Sequence, residues 1–238
     1  MIVDAQNRDY REVNEIIRSS KENIEVINPL GQRFLGAGLR ERRVNVYGIA
    51  GNALGCYLDG GTVEVFGDAQ DAVGDTMNSG RIIIHGSTGD ALGYAMRGGR
   101  IYVEKNAGYR AGIHMKAYGD KCPVIVIGGR TGSFLGEYQA GGLIIVLGLD
   151  RGEYPISGYF TAAGMYGGRI FLRDPGEVLL QKEVEMRSAE KEEMEEIKEH
   201  ISEWCTLFHM DEEKVLDTPF YVVSPKKGDT PRQKYVAN

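Results

Sequence analysis

Residues 63–99 read VEVFGDAQDAVGDTMNSGRIIIHGSTGDALGYAMRGG, and the second half repeats the first at an offset of 19 residues. The preceding stretch, VNVYGIAGNALGCYLDGG from Val44, carries the same unit once more. Gly48, Gly67 and Gly86 superpose, as do Gly55, Gly74 and Gly93, and Gly61, Gly80 and Gly99. Self-similarity at a fixed period signals a stacked architecture and outranks any local motif. Each unit opens on an alternating triad (Val44/Val46, Val63/Val65, Ile82/Ile84, Ile101/Val103), the period of a strand with one face turned inward. A helix in the remainder of the unit is excluded by glycines such as Gly51, Gly55 and Gly60, each costing about 1 kcal/mol against alanine. Short strands joined by tight turns remain, with glycine supplying positive φ at the corners.

Further strand starts follow at Val124, Ile144 and Ile170 as the period loosens, making seven with Val44, Val63, Ile82 and Ile101. The reading is an all-β chain: a single-stranded right-handed parallel β-helix of about seven coils, with a short N-terminal helix and a C-terminal helical tail. Right-handed winding follows from the strong bias of parallel crossovers, and the apolar residue every six positions of left-handed hexapeptide helices is missing. Leu58, Met77, Met96 and Met115 should stack in one interior column, and Leu54, Val73, Leu92 and Ala111 in another. With no Cys or His in register, the methionines read as core packing and not as a soft-metal site. Asn52, Asp71 and Asp90 form a third column, read as turn-capping Asx residues because the calcium-binding nonapeptide pattern does not occur.

Composition divides the chain in the same way. Of 33 glycines, all but Gly228 fall between Gly31 and Gly176. This sets an N-terminal cap at 1–29, the glycine-repeat β-helix at 30–174 and a helix and tail at 175–238. In the head, DYREVNEIIRSS puts Val13, Ile16 and Ile17 on one helical face, Asp9 and Glu12 have capping-box spacing, and ENIEVINP reads as a strand. In the tail, Met194, Ile197, Ile201, Trp204, Cys205 and Phe208 mark an amphipathic helix. Its apolar stripe either docks on the outside of the solenoid, the favoured reading, or meets another chain. DEEKVL reads as a short helix, and the final segment as a strand followed by a partly ordered basic end.

A net charge of −6 and a pI near 5.4 argue against broad capture of nucleic acid or anionic membrane. Cys56, Cys122 and Cys205 are isolated, without zinc or iron–sulfur spacing, which implies a reduced, cytoplasmic compartment. Neither a signal peptide nor a membrane span is expected. Glycine runs such as GGRTGSFLG at 128–136 fail the phosphate-loop and dinucleotide tests, because they recur by structure and do not open a helix after a lone strand. His85, His114, His200 and His209 read as surface or satisfied core histidines. The most unusual local chemistry is GYRAGIHMKAYGDK, where the period breaks. Tyr94, Tyr109 and Tyr118 cluster near it, and Tyr109, His114 and Lys116 are the candidates for contact with a ligand or partner.

Three stretches, GDAQDAVGDTMNSGRIIIHGSTGDALGYAMRGGRIYV, AGYRAGIHMKAYGDKCPVIVIGG and GSFLGEYQAGGLIIVLGL, resemble the GXGXG domain of glutamate synthase. The resemblance is close over about residues 28–174, includes non-glycine words such as NSG, HMK and FLGEY, and extends more loosely to IKEHISEWCTLFHMDEEKVLDTPFYVVSP. It implies a non-catalytic scaffold subunit of a glutamate synthase complex, serving glutamate biosynthesis, ammonia assimilation and nitrogen metabolism. The implied partners are a glutamine amidotransferase subunit and an FMN and iron–sulfur glutamate synthase subunit. Met1-Ile2 lacks the amidotransferase's N-terminal cysteine, and the expectation is a stand-alone polypeptide, with self-association left open. No catalytic, cofactor-binding or metal-binding residue carries over, since the matching positions are structural glycines and core residues. The runner-up is the C subunit of formylmethanofuran dehydrogenase, which has a similar solenoid. A free-standing ligand-binding or carbohydrate-acting β-helix is the alternative from another class.

Overall fold

The computed structural model describes residues 1–226. The chain begins with β1 (Ile2–Asp4), α1 (Tyr10–Ser19) and β2 (Ile24–Leu30). It continues through β3 (Arg43–Ile49), β4 (Asp59–Phe66), β5 (Ser79–Ile84), β6 (Arg100–Val103), β7 (Val124–Ile127), β8 (Ala140–Val146) and β9 (Gly167–Arg173). The tail adds β10 (Val184–Ser188), α2 (Lys191–Leu207), α3 (Glu212–Leu216) and β11 (Phe220–Pro225). Strands β1 to β9 pair in chain order and in parallel, giving a solenoid of about eight turns. The parallel run then ends: β11 joins β9 antiparallel, and β10 joins β11 antiparallel.

The seven strand starts read from the repeat correspond to β3–β9, and β1 and β2 lengthen the stack beyond seven. Neither β1 nor β10 shows the repeat, so neither was legible from it. The inward column runs Val44, Val63, Ile82, Ile101, Ile125, Ile144, Ile170. Although β7 does start at Val124, that residue pairs with Arg100 and lies on the outer face.

Each coil has three parts: a strand on the main sheet, a one-residue bridge in a second parallel ladder (Ala50, Ala69, Thr88, Ala107, Thr131), and an arc leading to the next strand. In every arc positive φ recurs at alternate residues. Ala91, Gly93 and Ala95 have φ of 57°, 66° and 50°, and the same triplet appears from Phe34/Gly36/Gly38 to Phe160/Ala162/Gly164. Glycine therefore supplies only part of the left-handed backbone. The outer two positions accept alanine, tyrosine, histidine and phenylalanine, at about 1–2 kcal/mol per residue. Hydrogen bonds between coils offset that strain: Ala91 N–H donates to Tyr109 O at 2.8 Å and Gly93 N–H to Val73 O at 2.7 Å.

The Asx column does not cap its own turns. Asp71 accepts from Asp90 N–H and Asp90 from Tyr109 N–H, both at 2.8 Å, so each carboxylate ties one coil to the next. Leu58, Met77, Met96 and Met115 are fully buried in one column as expected, and Gln139 and Met165 continue it. At the head Asp9 caps α1 by accepting from Arg11 N–H at 2.9 Å, while Glu12 pairs with Arg8, so the box is only half formed. Val13 and Ile17 join the solenoid core. The sequence-predicted basic end, 227–238, lies outside the described residues.

In the tail, α2 docks on the outer face of the sheet, which settles the choice left open above. Ile197, Ile201, Trp204, Cys205 and Phe208 form a second core with Tyr102, Val126, Ile145 and Phe171. Trp204 Nε1 donates to Val103 O at 2.9 Å. Its ring shares with Glu104 O the space a Cβ on Gly128 would need, which would lie 2.1 Å from that oxygen and 2.3 Å from Cζ2. Around this apolar seam Glu203 accepts from Tyr102 Oη and Arg81, both at 2.6 Å, and from Arg100 at 3.1 Å.

Candidate functional site

The middle glycine of each arc faces the sheet across the interior. A Cβ on Gly55, Gly74, Gly93, Gly112 or Gly136 would lie 2.3–2.6 Å from the Cδ1 of Ile82, Ile101, Ile125, Ile144 or Ile170. Arc and sheet are thus in direct contact, and this interior is packing, not a binding lumen. The last arc has Ala162 at the middle position, fully buried. The strand that would supply the next isoleucine is there replaced by antiparallel β11, so a methyl group fits. Chemistry directed at other molecules must therefore lie on the outside.

The outward arc positions make two tracks, on the side of the molecule opposite α2. In the early coils both tracks carry mostly small groups, such as Ala53, Ala72, Ala91, Thr76 and Ala95. From the fifth arc (Arg110/Gly112/His114) onward they become mostly aromatic and basic. His114 stacks on Tyr138 (5.2 Å, 10°) and meets the edge of Tyr94 (5.9 Å, 81°). Tyr138 lies on the bare backbone of Gly164, where a Cβ would come within 2.5 Å of its ring. On the parallel track Phe134 stacks on Phe160 at 5.0 Å, and Arg110 covers Phe134 at 4.7 Å while pairing with Glu137 at 3.1 Å. Tyr94, Tyr138 and Phe160 nevertheless remain 40%, 42% and 51% exposed.

The structure thus brings His114 together with Tyr94 and places exposed Lys116 beside them, two residues after His114. Tyr109 opens the same arc, 52% exposed but outside the stack. Tyr118 stands apart on an insertion, where Tyr118 and Lys121 exchange backbone hydrogen bonds at 3.1 Å. Phe134, Tyr138 and Phe160 were missed because insertions in two coils break the 19-residue spacing, and Arg110, in register with Ala91, because spacing does not report which arc positions face outward. Aligning Gly112, Gly136 and Ala162 as one column would have brought the three aromatics into register.

A second exposed apolar surface lies on the outer sheet face of the early coils, beyond the reach of α2. Leu30, Ile49, Tyr47 and Phe66 are exposed there, and Tyr47 and Phe66 stack at 4.8 Å. The stack continues through His85 to Phe208 at the end of α2. His85 Nε2 lies 2.9 Å from Glu64, which also pairs with Arg43. Burial alone would raise the Glu64 carboxyl, but the bonds to His85 and Arg43 outweigh it and hold the group below its usual value. A carboxylate so engaged is a strap across β3–β5 and a poor general base. His200, on the buried face of α2, has its Nδ1 unpartnered and its imidazole pushed down first by burial and then by the Arg100 charge. His209, with φ of 56°, follows the end of α2.

Burial raises the thiols of Cys56 and Cys205 to about 11, so neither is an activated nucleophile at neutral pH. Among the described residues no group of three or more His, Cys, Asp or Glu is placed to hold a metal ion, and no helix is long and apolar enough to cross a membrane.

A parallel solenoid whose coils are spaced by glycines packed against isoleucines, with its distinctive surfaces on the outside, defines the class of protein. Across residues 8–226 the chain matches the GXGXG motif family, and it belongs to that family, the domain type of the glutamate synthase resemblance. It is also 43% identical over 94% of its length to Uncharacterized protein MJ1350 of Methanocaldococcus jannaschii, covering 92% of that protein.

Proposed function

We propose that this chain is a non-catalytic scaffold subunit of a glutamate synthase-type complex, which converts glutamine, 2-oxoglutarate and reductant to two glutamates. On this reading it positions a glutamine amidotransferase and an FMN synthase subunit, and the FMN and iron–sulfur cluster belong to the latter. The carrying observation is the GXGXG match over nearly the whole described chain. Two separate exposed aromatic surfaces, one on the arcs and one on the early outer sheet, support it. Contiguous exposed apolar surface marks sites of association, and a scaffold for two partners requires two.

The test is affinity purification of the tagged full chain from its source cells, with mass spectrometry of what is retained. Amidotransferase-type and FMN-synthase-type polypeptides in constant ratio are the expected result. Molybdenum or tungsten subunits instead would move the assignment to a formylmethanofuran dehydrogenase-type complex. A chain recovered alone and active as a hydrolase would overturn the scaffold reading.

A further inference from the structure

The cations beside the arc stack are not neutralised within the chain. Arg97 and Lys116 occupy equivalent positions in neighbouring coils, each one residue past an inward methionine, and each follows the His114 track by two residues. Both are exposed, and neither forms an ion pair among the described residues. Lys121 joins them, because the 117–122 insertion folds back until the Lys121 stem sits 3.0 Å from the position of a Cβ on Gly98. The acids near them are few or engaged: Glu137 is spent on Arg110, Glu196 of α2, which acts on Cys122 beside Lys121, is spent on Arg169, Asp75 is half-buried, and Asp120 is on the insertion. This basic patch stands on a chain of net charge −6.

Resting on the scaffold reading, we propose that Tyr94, His114 and Tyr138 with Arg97, Lys116 and Lys121 dock a partner subunit through an acidic segment. The stacked rings supply rigid apolar area at low entropic cost, and the three cations fix which surface can approach. Carboxylates are the complementary chemistry, and screening by salt is the expected signature. A second copy of the chain also carries carboxylates, on the outer side of α2, but that face is opposite the arcs. Such a contact would be head-to-tail, giving a ring or an open filament of this one chain in place of a complex with a different subunit.

The experiment compares the tagged full-length wild type with R97E/K116E/K121E, with H114A/Y138A, and with E192K/E195K on exposed positions of α2. Each is first matched for thermal unfolding and Trp204 emission, and the retained polypeptides are identified by mass spectrometry. Recovery of one partner should fall by about tenfold in both arc variants and hold in the α2 variant, as reversal of contact charges predicts. Raising salt should weaken the wild-type complex more than what remains of the charge-reversal complex. Wild-type retention of both partners with the arc variants undiminished overturns the docking proposal and leaves the scaffold reading standing. No retention of such partners by the wild type overturns both. Loss in the arc variants of self-association alone, read by sedimentation, would assign the face to a second copy and sink the proposal.

Discussion

Gly93 is confined for two reasons at once: a φ of 66°, and Ile125 Cδ1 2.5 Å from where its Cβ would lie. Ala91, two residues earlier, has a φ of 57° but faces outward. Left-handed backbone costs an L-residue about 1–2 kcal/mol, and overpacking a core adds about 1–3. Gly93→Ala should therefore destabilise by about 2–4 kcal/mol. Ala91→Gly relieves strain, less the entropy glycine returns to the unfolded chain, and should stabilise by about 0.5–1 kcal/mol. Opposite signs in denaturant unfolding are the expected outcome, and equal signs would disprove the two-constraint account. The glycine column was legible from spacing, whereas the alanine positions with the same backbone were not, because neither residue type nor period reports φ.

The docking of α2 sets the energetics of the next scale. Trp204 is the sole tryptophan, fully buried and hydrogen-bonded to β6, so its fluorescence reports the helix directly. Gly128→Ala would drive a methyl group into both the Glu104 carbonyl of the preceding coil and the indole, and a red-shifted emission together with a loss of stability is expected. Trp204→Ala should cost about 3–5 kcal/mol, as for other large core truncations.

Two titrations bear on the same helix. His200 is depressed by burial, so its neutral form is favoured in the fold. Its share of stability is complete above the ordinary value of 6.5 and declines as pH falls below it. His200→Leu should flatten unfolding free energy between pH 7 and 5. For Glu203, burial pulls upward, but Tyr102 and Arg81 pull harder and the carboxyl ends below 4.5. Its contribution is present above that value and is lost as pH falls through the lower folded one. Glu203→Gln should cost about 1–3 kcal/mol at neutral pH, the scale of a hydrogen bond to a charged group, and remove that part of the acid loss.

Over the whole molecule the stack is quasi-one-dimensional, each coil touching its neighbours and, through the arc glycines, the strand after next. Excising Asn52–Gln70 removes one complete coil and joins Gly51 to Asp71, leaving every column in register. A folded, shorter and less stable protein with native Trp204 emission is expected. Removing only half of that stretch turns inward residues outward and should abolish folding. Circular dichroism and tryptophan emission distinguish the two results.

Spacing alone determined the parallel stack, the interior columns, the glycine positions and the two helical additions. These are nearest-neighbour properties, repeated until the period is unmistakable. Only the tertiary structure decided that α2 closes the sheet, that β11 ends the parallel run, and that β1 and β10 complete it. It also decided that Tyr94, Arg97, Tyr138 and Phe160 share a face with His114. Those facts depend on contacts between residues far apart in the chain, across insertions that erase the period. A single sequence carries no record of which distant surfaces meet.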